Sequence, residues 1–380
     1  MLNKKSIISL LLILAVTCIA YIPALTGSFV WDDNAYITKP ELRTVSGLYR
    51  IWFEPRATGQ YYPLLYSAFW VQYKLWGDSS VGYHVFNLAL HLLVVILAYA
   101  VLLKLDVPGA LLAAGIFALH PVHVETVAWI SEQKNTLSGV LYLAAMLVYL
   151  NRDAGRDSNT SSGKLSYVAS LALYLLAILS KSVTATLPGA LLVIAWWKRG
   201  RIEWRRDVLP LVPFFALGLS SGLVTAYAEN VWVGAAGADY DLTPIQRILV
   251  AGQAIWFYLG KLFLPVNLAF SYTKWTIDPA DWTQWAYVVG VVALAGVLWR
   301  VRDRSRGPLA ALLFFVGTLF PALGFVNVFP FRYSYVADHF QYLASLGVIA
   351  LVASGIVLAF DRFANKPVIA QAHRKRRPAR

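Results

Sequence analysis

Residues 79–103 read SSVGYHVFNLALHLLVVILAYAVLL. No Asp, Glu, Lys or Arg interrupts them. A stretch this long, near the roughly 17–25 residues that carry a helix across a bilayer, decides the fold class. In lipid a helix satisfies every backbone donor and acceptor within itself, so the segment is expected to be a transmembrane helix. Its few polar residues have a pattern. His84, Asn87 and His91 stand at i, i+3 and i+7, on one helical face. That face is expected to look into a helix bundle, because His and Asn are poor neighbours for lipid. Bonding between helices and lining of a substrate cavity are both open to it.

Working outward, similar charge-free stretches cover 6–31, 107–124, 135–151, 165–180, 182–197, 208–228, 282–299, 307–331 and 339–360. The stretch 248–260 is shorter, a length more typical of a re-entrant or interfacial segment. Of the 380 residues, 58% are hydrophobic and 14% charged, against about 25% charged in an average soluble domain. This excludes a disordered chain, a nucleic-acid-binding domain and an ordinary soluble enzyme. Membrane lipids, not nucleic acid, are the expected surroundings. The net charge of +13 sits in short clusters between apolar runs, the positive-inside pattern. Cys18 is the one cysteine, so no disulfide or Cys-based metal site forms within the chain.

Those clusters set the expected orientation. Lys4 and Lys5 place the N-terminus in the cytoplasm, and the first helix is read as an uncleaved anchor because no small-x-small site ends it. Lys198, Arg199, Arg201, Arg205 and Arg206 then fall inside. With 248–260 re-entrant, Arg300, Arg302, Arg304 and Arg306 also fall inside, as do Arg374, Lys375, Arg376 and Arg377. The expectation is an all-α integral membrane protein: residues 1–361 as ten spans plus one re-entrant segment, and 362–380 as a basic cytoplasmic tail. The long loops 30–78, 120–134, 229–246, 265–281 and 330–338 then share the outer side. The glycosylation sequon Asn159-Thr160-Ser161 falls inside and is expected to be silent.

The first outer loop opens with Trp31-Asp32-Asp33-Asn34. Two adjacent carboxylates at the mouth of a membrane helix are costly unless solvated, paired or used. Leu42, Val45, Leu48, Ile51 and Trp52 follow at helical spacing, a stripe fit to lie flat at the interface. Tyr61, Tyr62, Trp70, Tyr73 and Trp76 suit an aromatic belt. By itself the Asp-Asp pair also fits a helix cap, or charge balance for Arg43 and Arg50.

The pair has company. GSFVWDDN at 27–34, GYHVFN at 82–87 with His91, HPVHVETVAW at 120–129, LSKS at 179–182 and YVADHFQYL at 335–343 occur in this order. Together they make the chain resemble a glycosyltransferase of the GT-C membrane superfamily, in the branch of protein O-mannosyltransferase relatives that usually carry TPR repeats. The resemblance implies a bundle of about ten to eleven transmembrane helices. It also implies a sugar, mannose by analogy, carried on a polyprenyl phosphate and transferred on the extracytoplasmic face, here of a bacterial inner membrane. It places an acidic residue of the first outer loop in catalysis, which maps onto Asp32 or Asp33. The acceptor is a hydroxyl of a protein Ser or Thr, or of a glycolipid. Asp-Asp stands where the better-studied protein mannosyltransferases have Asp-Glu. The basic tail stands where similar proteins usually add a further span and the TPR array, so acceptor recognition by repeats is expected to be absent or supplied elsewhere.

Such a transfer needs a base for the acceptor hydroxyl and donors or cations for the departing phosphate. Asp32 or Asp33 serves the first need. For the second, Lys181, Lys261 and Arg332 are basic residues on the outer side, and snorkelling to the interface is their alternative role. His120 and His123 are further candidates for the phosphate. Glu125, Asp338 and His339 join His84, Asn87 and His91 as expected cavity residues. His120-x-x-His123-x-Glu125 has spacing open to a divalent metal, though Pro121 argues for a loop or helix start there. No other cofactor is expected. A transporter or flippase has the same composition, but usually shows two related halves with matching broken helices, and no such repeat is visible. An inactive membrane scaffold is the third reading.

Overall fold

The computed structural model describes residues 4–37, 39–154 and 161–364. The sequon at Asn159 and the basic tail from 365 onward lie outside the described residues. Among these, every regular element is helical. The chain opens with α1 (Lys4–Tyr21), followed by the first loop with α2 (Asp33–Ile37), α3 (Val45–Phe53) and α4 (Pro63–Trp76). Next come α5 (Ser80–Lys104), α6 (Ala110–Leu119), α7 (Val124–Ala128), α8 (Gln133–Ala154) and α9 (Ser161–Ile178). After these lie α10 (Leu187–Arg199), α11 (Val212–Ala228), α12 (Pro244–Phe263), α13 (Trp282–Arg300), α14 (Gly307–Leu319) and α15 (Ser345–Phe363).

Six helical segments are long and apolar enough to cross a membrane: Lys4–Thr26, Ser80–Lys104, Ser161–Ile178, Trp204–Val233, Trp282–Arg300 and Ser345–Phe363. A seventh results if α6 and Pro121–Ala128, bent by 55°, form one broken span. The protein is therefore a multi-pass membrane protein, although fewer segments meet this standard than the ten apolar stretches suggest. The shortfall has local causes. α10 and α14 have 13 residues each, about 20 Å of helix. A 3-10 stretch at Ser182–Thr186 and Pro188 delay the first, and Phe320–Ala322, with Pro321, ends the second. α8 has 22 residues but begins with the polar run Gln133-Lys134-Asn135.

Residues 248–260 sit within α12, an unbroken helix of 20 residues that starts from a capping box between Thr243 and Gln246. It packs on α13, where Trp256 Nε1 donates to Tyr287 O at 2.9 Å. The chain then returns without regular structure to where it set out. Gln246 Nε2 donates to Ile277 O at 3.2 Å, and Gln284 Nε2 to Thr276 O at 3.1 Å. The two ends of this excursion are neighbours, the arrangement a re-entrant segment requires, but the helix is longer than its apolar centre alone implies.

The bundle has two chemically distinct ends. At one, Lys198 Nζ donates to Leu105 O at 2.6 Å and lies 3.7 Å from Asp106, Arg199 pairs with Asp207, and Arg306 donates to Trp196 O at 3.5 Å. At the other lies the first loop, with its own core of Leu42, Ile51, Leu65, Tyr66, Phe69 and Tyr83. Within α3 the apolar stripe divides: Ile51 faces this core, while Val45, Tyr49 and Phe53 stay exposed at i, i+4 and i+8. That exposed stripe suits a bilayer interface. Sidedness is directly testable. In a Cys18→Ser background, Asp239→Cys should label from outside intact cells, and Ser305→Cys only after permeabilisation. Labelling of both from outside would mean that α12 crosses fully.

Candidate active site

Asp32 and Asp33 differ in what surrounds them. Trp31, just before them, adopts φ 51, a left-handed conformation that costs a bulky residue roughly 1–3 kcal/mol. The chain then turns into α2. Asp33 sits in the first turn, and its Oδ2 accepts from Val30 N at 2.9 Å, closing that turn. Its Oδ1 accepts from Ser131 N at 2.7 Å and from Ser131 Oγ at 2.5 Å. Asp33 is fully buried, with three donors on its carboxylate. It ties the first loop to the 131 segment. Asp32 is only half-buried, and its Oδ1 has no hydrogen-bond partner. Burial raises the Asp32 carboxyl above its ordinary range, against the pull of Lys134. Of the two, Asp32 is the less committed: Asp33 holds three donors, while Asp32 meets the Ser131 side chain and the charge of Lys134.

Beside it lies a polar run that reads in sequence as a loop. Ser131-Glu132-Gln133-Lys134-Asn135-Thr136 is buried throughout, because the first loop closes over it. Glu132 is its centre. Glu132 Oε1 lies 2.7 Å from Lys134 Nζ and 3.7 Å from His339 Nε2. Its Oε2 accepts from Asn135 Nδ2 at 2.6 Å and from Lys181 Nζ at 3.4 Å. Lys181 Nζ also donates to Asn135 Oδ1 at 2.7 Å. Burial would raise the Glu132 carboxyl, but His339, Lys134 and Lys181 outweigh it and hold it well below the usual range. Burial lowers the Lys181 ammonium to about 8, although Glu132 favours the charged form. Glu125 completes the group: its Oε1 lies 3.0 Å from His339 Nδ1, and its Oε2 accepts from His339 N at 2.9 Å.

The structure thus brings together five of the residues expected from sequence: Asp32, Asp33, Glu125, Lys181 and His339. It adds Ser131 and Asn135, which sequence reasoning passed over, and Glu132 and Lys134, which sequence reads as a simple charge pair. Their signal was a run of six polar residues between apolar stretches. Tyr36 belongs here too. Lys134 Nζ stands 5.1 Å from the centre of its ring, and its hydroxyl donates to Gln60 Oε1 at 2.8 Å. Gln60 Nε2 in turn donates to Glu229 Oε1 at 2.6 Å, fastening the first loop to the end of α11. Asp338 is buried next to His339 and accepts from Tyr272 OH at 3.0 Å. Burial pushes its carboxyl up to about 6, opposed by that bond.

The other expected site residues have protein partners of their own. His120 Nε2 bonds Leu262 O at 3.0 Å, and its Nδ1 accepts from Val122 N at 3.4 Å. His123 bonds Phe117 O at 2.7 Å and Ser345 Oγ at 3.0 Å. With both rings occupied by protein partners, these histidines hold the bend between α6 and α7 and have no nitrogen left for a phosphate. His91 spans Tyr342 OH and Ala118 O, and Asn87 Nδ2 holds the carbonyls of Thr126 and Val127. His84 Nε2 bonds Gly27 O at 3.1 Å. These three tie helices together, and His84 Nδ1 is buried without a hydrogen-bond partner. Lys261 donates to Val266 O and Asn267 O, closing the end of α12. Arg332 is half exposed and lies 3.4 Å from Asp239. Among the described residues, no three His, Cys, Asp or Glu side chains converge to hold a metal ion, so the spacing of His120, His123 and Glu125 does not become a metal cage.

An aromatic wall borders Asp32. The Trp31 ring is 64% exposed, with Phe270 5.6 Å and Tyr333 6.0 Å from its centre, and Trp129 lies 4.8 Å from Phe270. The site therefore brings together a half-buried carboxylate, a buried cation pair and apolar ring faces.

The chain is similar to proteins named protein O-mannosyl-transferases. One from Caenorhabditis elegans is 26% identical over 92% of this chain and 51% of its own length. Protein O-mannosyl-transferase Tmtc1 of Drosophila melanogaster is 30% identical over 45% of this chain and 21% of its own. TMTC3 of Homo sapiens is 30% identical over 39% and 17%. The chain thus spans about half the length of the first relative and a smaller part of the other two. No family model matches, and no solved structure gives a significant match. The chain is thus similar to proteins named protein O-mannosyl-transferases, the group its five motifs resemble.

Proposed function

We propose that this protein is a membrane glycosyltransferase of GT-C type that moves a mannosyl-type sugar from a polyprenyl-phosphate donor to a Ser or Thr hydroxyl of a protein on the extracytoplasmic face. The observation that carries the reading is the half-buried Asp32 carboxylate, one of whose oxygens is buried without a hydrogen-bond partner, beside the Glu132–Lys134–Lys181 group. The similarity to named O-mannosyl-transferases supports the sugar and the acceptor class.

The chemistry follows from the residues. Asp32 takes the proton from the acceptor hydroxyl as its oxygen attacks the anomeric carbon. The bond from that carbon to the phosphate oxygen breaks, and the phosphate leaves with the electron pair. One displacement inverts the anomeric centre. Lys181 supplies positive charge for the leaving phosphate. The exposed face of Trp31 offers an apolar surface to a pyranose ring. Asp33 holds the loop so that Asp32 keeps its place. The 55° break between α6 and α7 is a feature shared with transporters. Transport without sugar transfer is the outcome that would favour that second reading.

The test is transfer by purified protein from a polyprenyl-phosphate mannose to a Ser/Thr peptide. Lys181→Gln should weaken donor use by about ten- to a hundredfold, the loss of one charge-assisted hydrogen bond. Arg332→Gln should change it far less, given that residue's exposed pairing with Asp239. Donor binding should also fall as pH rises through about 8, where Lys181 loses its proton. The Lys181→Gln variant should lack that inflection. Unaltered donor dependence in Lys181→Gln would remove the residue from the donor site.

A further inference from the structure

We propose that the basic end of the bundle, opposite Asp32, carries a binding site for an anionic membrane phospholipid. A cavity of about 400 Å³ lies there between α5, α10, α14 and α15, within the roughly 300–1,000 Å³ of ordinary ligand pockets. Val101, Ile194, Phe314, Leu351, Gly355 and Leu358 are among the side chains that wall it. The hydroxyl of Ser354, also in the wall, is already engaged, donating to Pro108 O at 2.8 Å. The wall is predominantly apolar, with Trp197 and Ser305 as its remaining polar side chains, and an apolar cavity of this kind favours an apolar occupant. Between membrane helices the nearest one is a lipid acyl chain.

The rim decides which lipid. Ser305, Gly307 and Pro308 line the mouth. They alternate with or adjoin Arg304 and Arg306, the last members of the run Arg300, Arg302, Arg304 and Arg306. Arg300 and Arg304 are exposed and make no ion pair among the described residues. Arg306 spends one donor on Trp196 O at 3.5 Å. An apolar slot that opens beside uncommitted guanidinium groups is complementary to a phospholipid whose chain enters the slot and whose phosphate stays at the rim. Gly355 leaves room for it: a Cβ placed there meets no atom within 4 Å. The site is remote from Asp32 and does not rest on the transferase reading.

The experiment uses the full chain purified in detergent, exposed to phosphatidylglycerol or phosphatidylcholine vesicles, with retained lipid identified by native mass spectrometry. Wild type should keep one phosphatidylglycerol in roughly tenfold or greater preference, as two arginines at a membrane surface would give. Gly355→Phe should fill the slot and abolish retention, and Ala311→Phe, on the opposite wall, serves if that variant does not fold. The double change Arg304→Gln, Arg306→Gln should remove the preference for phosphatidylglycerol. Equal retention of both lipids by wild type, or undiminished retention in the filled variant, overturns the proposal. So does retention of a polyprenyl phosphate in the slot in place of a phospholipid.

Discussion

Asp32→Asn should lower sugar transfer by roughly 10²–10⁴-fold, the usual scale of acid–base help, while leaving donor binding intact. Asparagine keeps the shape of aspartate but accepts no proton at neutral pH. Asp32 Oδ1 has no hydrogen-bond partner, and the carboxylate holds fewer donors than that of Asp33, so the fold should tolerate the change better than at Asp33. Asp33→Asn should fail differently. Its carboxylate accepts from Val30 N, Ser131 N and Ser131 Oγ, and an amide nitrogen placed there faces donors with a donor. Leaving one such buried group unsatisfied costs about 1–3 kcal/mol, so the expected loss is in stability and loop closure. A transfer assay, a donor-binding measurement and an unfolding curve on both variants separate the roles. Full transfer in the Asp32→Asn, Asp33→Asn double variant would falsify the mechanism and leave transporter or scaffold as the better reading.

Glu132→Gln should be the most destabilising single change near the site. The Glu132 side chain is 1% exposed, and those of Lys134 and Lys181, both against it, are 11% and 12%. Removing the shared anion leaves two buried ammonium groups facing each other, and breaking such a pair typically costs about 3–5 kcal/mol. The protein should respond with a marked fall in its unfolding midpoint in detergent. Adding Lys181→Met to Glu132→Gln should recover part of the loss, because it removes one of the stranded charges. A shift within about 0.5 kcal/mol, the size of an ordinary surface substitution, would show that Glu132 is not the electrostatic centre described here.

The membrane class was legible because it depends on composition and run length alone. A stretch such as 79–103 admits few solvents other than lipid. The five motifs could be read for the same reason, since a local string needs no partner to be recognised. Crossing counts were less legible. Pro188, Pro321 and the polar start of α8 shorten or weaken helices that the apolar stretches imply, and an apolar stretch does not reveal where its helix begins.

The histidines show the limit from the other side. In sequence, His120 and His123 look like ligands for a phosphate or a metal. In the fold both are held by carbonyls and hydroxyls across the bundle, His123 by a serine 222 positions away. The reverse holds for Ser131 to Thr136, which reads as an ordinary polar link and is buried throughout. What the sequence by itself determined is the solvent this protein lives in, the helical class and the neighbourhood of Asp32. Only the tertiary structure decided which aspartate holds more donors, which lysines share Glu132, and which protein groups the histidines meet. Burial and hydrogen-bond partnership arise from segments far apart in the chain, as when Lys181 and His339 both meet Glu132, and no local pattern records them.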